Sequence, residues 1–186
     1  MAVQRRSARS VAWALLGVGM AVTLSGCFEA AGKCVAPVQR DLLYGCENHV
    51  SLAEEICCHN TDFAEPSGFF GTIGSRAGGL FAQLDQNGIT TFYDSVCGVS
   101  LFRAPVGRSF EAWQSESHYH GWPSFRTEEI VKENVVFKFG GEMRSICGTH
   151  LGHNIPDFSG DRYCIDLVCI AGNKNETRQQ TAAIHQ

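Results

Sequence analysis

The 186-residue sequence is short of several things, and each shortage excludes a class of protein. Charged residues make up only 18% of it and the net charge is −4, so there is no broad basic face for the backbone of a nucleic acid. Prolines number 5, no internal repeat or low-complexity linker is visible, and 44% of residues are hydrophobic, which excludes a disordered or fibrous chain. The longest apolar run, Val11 to Leu24, has 14 residues. A helix that spans a bilayer needs roughly 20. The length allows one ordinary domain and an appendage. Cysteine, by contrast, is plentiful at nine. In a reducing compartment so many would hold metal or do redox work, whereas an exported chain pairs them.

The N-terminus points to export. Arg5, Arg6 and Arg9 form a basic stretch with no acid nearby, the apolar run follows, and Ser25 and Gly26 precede Cys27. That is the layout of a secretory signal peptide over residues 1–26. Leu24-Ser25-Gly26-Cys27 also has the form of a bacterial lipobox, in which Cys27 is acylated, begins the mature chain and anchors it to a membrane. The expected location is the periplasm or outer membrane in a bacterium, or the secretory pathway or exterior in a eukaryote. Only in the latter would the sequon Asn175-Glu-Thr177 be used.

Residues 27–67 form a cysteine-rich segment, 68–173 the main domain and 174–186 a polar tail. Cys34, Cys46, Cys57 and Cys58 suggest two disulfides within the segment, or one disulfide and two free thiols. Adjacent cysteines chelate one metal poorly, which disfavours a zinc knuckle of Cys57, Cys58 and His59. Ser51 to His59 reads as a short helix, with Ser51 as N-cap and Glu54 completing a capping box. From Gly68 onward, β-branched and aromatic runs broken by glycine predict strands over 88–93, 135–139 and 162–170, and a helical turn only at 80–84. The expected fold class is mainly β, with antiparallel pairing.

Three clusters carry the chemistry: Gly121-Trp-Pro-Ser-Phe125, His150-Leu-Gly-His153 followed by Pro156-Asp157, and Arg162-Tyr-Cys-Ile-Asp166. Alone, each has a plain reading: a turn with an apolar anchor, a surface or metal-binding histidine pair, a buried cysteine beside an arginine. In this order they resemble the methionine-R-sulfoxide reductases. Phe92 to Phe102 adds a fourth match, and the resemblance spans roughly residues 78–170.

The resemblance implies a pair of small antiparallel sheets meeting at an angle, capped here by a short helical, cysteine-rich N-terminal segment. It implies thiol-dependent reduction of the R epimer of methionine sulfoxide, free or in oxidised proteins, with no required cofactor. Cys164 stands at the nucleophile and would become a sulfenic acid. Arg162, on the same strand face, would stabilise its thiolate. His150 and His153 would bind and protonate the sulfoxide oxygen. Asp166 stands where the family has asparagine, and Trp122 with Phe125 would receive the apolar end of the substrate.

Many members hold a structural zinc on two Cys-x-x-Cys pairs. The matching positions here are Asp94 with Cys97 and Arg144 with Cys147, which implies that zinc is lost and that Cys97 and Cys147 form a disulfide instead. His120 stands where a resolving cysteine often precedes the tryptophan motif. Cys169, an odd separation from Cys164, would lie on the other face of the strand, in the core. The resolving thiol is then expected among Cys34, Cys46, Cys57 and Cys58, with a thioredoxin-like protein as final reductant. Two other functions use fewer of these residues: a non-catalytic binding module built around Trp122, and an exported metal site of His118, His120, His150 and His153.

Overall fold

A computed structural model describes residues 34–35, 49–59, 61–72 and 79–172. The signal peptide, Cys27, Cys46 and the sequon lie outside the described residues. No helix among those described is long and apolar enough to cross a membrane.

The chain is mainly β, in two antiparallel sheets. Strands β1 (Thr90–Asp94) and β2 (Ser100–Ala104) join β8 (Ile170–Ala171) in a three-stranded sheet, in the order β2-β1-β8. The second sheet has the order β3-β7-β6-β5-β4. Its strands are β3 (Ser124–Phe125), β4 (Val135–Phe137), β5 (Glu142–Ser145), β6 (His150–Asn154) and β7 (Tyr163–Ile165). Three short helices accompany them: α1 (Val50–Glu54), α2 (Phe69–Thr72) and α3 (Phe110–His120).

Between the sheets lies an aromatic core. Phe102 and Phe125 stack at 4.4 Å, Phe92 and Trp113 meet edge to face at 5.7 Å, and Phe81 touches Trp113 at 4.9 Å. Such contacts add to the apolar area already buried. Phe125 is therefore a core anchor with no exposure, not a substrate contact as its motif position suggested. Phe102 stacks on it, and Phe92 and Trp113 pack against it at steeper angles.

Four expectations about local structure need correction. Helix α3 was not foreseen, because its eleven residues bury only Phe110, Trp113 and Ser117, too few apolar positions for a visible period. Its ends are well signalled: the Ser109 hydroxyl accepts the Ala112 N–H, and Gly121 closes the helix at φ +86. Ser51 does not cap α1. His49 precedes the helix, Ser51 lies inside it, and Glu55–His59 continues it as a π-helical turn.

The run 162–170 is not one strand. After β7 the chain turns through a 3₁₀ turn, Leu167–Cys169, and enters the other sheet as β8. It reads as continuously apolar because residues 165–171 are buried throughout, on both sides of that turn. The cysteine-rich segment holds only one described internal disulfide, Cys34–Cys58, and its second bond, Cys57–Cys169, runs to the main domain. Cys169 is thus a buried half-cystine, not a core thiol. The segment is strapped to the turn that links the two sheets.

Candidate active site

Antiparallel register brings the three motifs together. On β7, Cys164 faces Ser124 of β3 on one side and His153 of β6 on the other. Residues 124, 153 and 164 are thus lateral neighbours across three strands, as antiparallel pairing requires of directly opposed positions. Arg162 is two residues from Cys164 on the same face, and its Nη1 donates to Cys164 Sγ at 2.6 Å. Cys164 is half-buried and is the free cysteine among the described residues.

Close approach of β6 to β7 depends on Gly152. Its φ is +138, and a Cβ built there would lie 2.0 Å from the Cys164 carbonyl oxygen. The glycine in the histidine motif therefore sets the distance between β6 and β7.

The two histidines have different surroundings. His150 is 1% exposed, and its ring is 5.3 Å from that of His153. Its Nδ1 lies 3.0 Å from Glu142 Oε1 and its Nε2 lies 3.4 Å from Asp166 Oδ2. A doubly protonated ring would donate to both carboxylates. Burial pushes the Asp166 carboxyl above its ordinary range, and the His150 hydrogen bond opposes that rise. Burial also acts on Glu142, but hydrogen bonds from Arg144 and His150 outweigh it and hold that carboxyl low. His153 is half-buried and opens onto the cavity.

That cavity, about 290 Å³, is lined by Cys164, His150, His153 and Gly152 of the two strands, by Trp122, His120 and Arg162, and by Thr61 to Ala64 of the N-terminal segment. Ile155 also lines it, and Phe63 is 62% exposed beside it. The Trp122 indole Nε1 donates to the Glu65 carbonyl at 3.1 Å, which fixes the ring against the segment. Burial and the nearby Arg162 charge hold His120 below the ordinary histidine range, so at neutral pH it offers an uncharged imidazole.

Asp157 lies 3.6 Å from the Arg162 guanidinium and is itself hydrogen-bonded to Arg126 at 2.7 Å, which drops its carboxyl to about 2. Arg126 also meets Glu116 of α3, and Glu116 meets Arg108. Arg162 thus sits at the end of a relay of alternating charges. Glu65, Glu142 and Thr61–Ala64 carried no motif that marks them.

The alternative four-histidine site is not assembled. His118 is exposed and its ring lies 5.0 Å from Phe70, on the side of α3 that faces α2. Among the described residues the grouping of three or more metal-ligating side chains is Asp94, Cys97 and Cys147.

No family model matches the chain. It is 32% identical over 90 residues to a protein named peptide methionine sulfoxide reductase MsrB, from Variovorax paradoxus (strain S110). That match covers 43% of this chain and 60% of the relative. The similarity supports a methionine-R-sulfoxide reductase relationship. The chain spans less than two thirds of the length of that relative.

Against that relationship the residues at the zinc positions can be tested. Cys97 and Cys147 are joined in a disulfide, so their sulfurs are not thiolates. Asp94 Oδ1 accepts the N–H groups of Val96 and Cys97, each at 2.7 Å. Arg144 turns away to donate to Glu142 at 2.6 Å. These groups do not fit the closed four-ligand site that structural zinc takes. Of the cysteines expected to resolve the nucleophile, Cys34, Cys57 and Cys58 are already in disulfides.

Proposed function

We propose that the protein reduces the R epimer of methionine sulfoxide, free or peptide-bound, with Cys164 as nucleophile. The observation that carries this reading is the convergence on one cavity of the free Cys164 thiol, the Arg162 guanidinium 2.6 Å from its sulfur, and the two histidines.

The sulfoxide sulfur becomes electrophilic when its oxygen accepts a proton or a hydrogen bond. His153, open to the cavity, is placed to supply it, with His150 behind it held between Glu142 and Asp166. Trp122 offers an apolar face to the methyl group. In the chemical step the substrate's S–O bond breaks and an S–O bond forms on Cys164; methionine leaves and a sulfenic acid remains. Two external thiols then complete the cycle: they are oxidised to a disulfide, Cys164 returns to the thiol, and the oxygen departs as water. With three of the expected resolving cysteines bonded elsewhere, a dithiol reductant of the thioredoxin class that attacks Cys164 directly is the simplest donor.

We also infer that the chain works after export, lipidated at Cys27, and without zinc. Three disulfides in one small chain support an oxidising compartment. The deciding assay supplies each sulfoxide epimer with dithiothreitol and measures methionine. The R epimer should turn over and the S epimer should not, and Cys164→Ser should be inactive. Turnover retained by Cys164→Ser would refute the assignment.

A further inference from the structure

Glu65 is a carboxylic acid that the reaction scheme does not use, yet it is 2% exposed and close to the site. It belongs to the N-terminal segment, 102 residues before its main partner. Its Oε1 accepts the backbone N–H of Leu167 at 2.6 Å, and its own carbonyl accepts the indole N–H of Trp122 at 3.1 Å. Its Oε2 is buried and has no hydrogen-bond partner among the described residues. One residue therefore holds the side of the cavity with its backbone and the turn after Asp166 with its side chain. The Cys57–Cys169 bond closes the same contact between segment and turn, two residues beyond Leu167.

We infer that Glu65 is a positioning residue of the site, locking Trp122 to the Asp166–Leu167 turn so that the methyl-binding ring and the partner of His150 keep one geometry. The kinetic part of this inference rests on the reductase reading. The packing part does not.

The charge state follows from the neighbours. The charged group that faces Glu65 is Asp166, with His150 and His153 acting on Asp166 from β6. Burial and the like charge of Asp166 push the Glu65 carboxyl up to about 8. A hydrogen bond from His150 favours the Asp166 carboxylate, and no cation among the described residues faces Glu65. A neutral Glu65 still accepts from Leu167 through its carbonyl oxygen, more weakly than a carboxylate would, and places no second charge beside Asp166.

A carboxyl raised from 4.5 to about 8 binds its proton more tightly when folded, so the stability it contributes is full below 4.5 and is lost as pH rises through 8. Glu65→Gln keeps the acceptor and the shape and cannot ionise. Glu65→Ala removes both.

The test compares wild type, Glu65→Gln and Glu65→Ala in two measurements. In urea unfolding at pH 5.5 and 8.5, the unfolding constant of the wild type should rise relative to Glu65→Gln by about 10²-fold between the two pH values. In the sulfoxide assay at pH 6.5, Glu65→Gln should stay within about threefold of wild type, while Glu65→Ala should lose about 10–100-fold in kcat/KM, with KM rising as the Trp122 side loosens. Parallel stability curves for wild type and Glu65→Gln would overturn the inference. So would a loss at pH 6.5 as large for Glu65→Gln as for Glu65→Ala. If Glu65→Ala fails to fold, the glutamine variant decides alone. A wild type inactive on both epimers, with the stability curves still diverging, would overturn the reductase reading and leave the clamp.

Discussion

Cutting the strap between the N-terminal segment and the main domain has a calculable effect. Cys57 and Cys169 are wholly buried and 112 residues apart. Because Cys97–Cys147 already short-circuits the chain between them, the shortest covalent path around the loop is about 60 residues, for which the chain-entropy relation gives about 4 kcal/mol. The double variant Cys57→Ala/Cys169→Ala removes both partners of the bond, so neither is left as an orphan thiol, and the small voids it opens add about 1 kcal/mol at most. A loss near 4–5 kcal/mol is a large share of the roughly 5–15 kcal/mol by which a domain is stable. In urea, with a slope of about 2 kcal/mol per molar, the unfolding midpoint should fall by about 2 M. Since Thr61–Ala64 forms one side of the cavity, KM for the sulfoxide should also rise at temperatures where the fold survives. A midpoint change worth less than about 1 kcal/mol, at unchanged slope, would refute the claim that this bond secures the segment.

His150→Ala and His153→Ala should each lower turnover by about 10²–10⁴-fold, the range for groups that move protons in a transition state, and two normal variants would remove the proposed acid. Gly152→Ala should cost more than about 3 kcal/mol in thermal or urea unfolding, because its Cβ would overlap the Cys164 carbonyl at a φ closed to other residues. Peptide mapping of unreduced protein should find Cys97 joined to Cys147, and replacing both with alanine should destabilise by roughly 2–5 kcal/mol. Zinc bound stoichiometrically through those two sulfurs would contradict the structure there.

The chemical centre was legible because strand chemistry is periodic. Arg162 and Cys164 share a face at a spacing of two, and the motifs on β3, β6 and β7 meet wherever those strands pair antiparallel. What supports the centre was not legible. Glu65 and Glu142 are ordinary acids in sequence, and only folding puts them beside Trp122 and His150; Asp157 follows the histidine motif, but its place beside Arg162 is set by the fold. Helix α3 escaped because three buried side chains in eleven residues leave no stripe, although Ser109 and Gly121 mark its ends. The run through Cys169 was misread because burial on both sides of a turn looks like burial along one strand. That error left Cys169 without a partner, where the fold bonds it to Cys57. Cysteine connectivity has no local signal at all, since a bond depends on where two distant Cα atoms finish.

The adjacent cysteines have a consequence for how the chain is made. Cys57 and Cys58 point to opposite ends of the sequence, one bonded to Cys169 and the other to Cys34. Synthesis at about 5–20 residues per second delivers Cys169 roughly 5–20 s after Cys57. During that wait Cys34 and Cys46 are already present, and oxidation can pair Cys57 with either. Any such early bond must later be exchanged for the native one, by attack of a thiolate on a disulfide sulfur. Uncatalysed reshuffling takes up to hours, so the yield of correctly strapped protein should follow the supply of disulfide isomerase more than that of oxidant. The bond that shapes the cavity is the last of the three that chain growth makes possible.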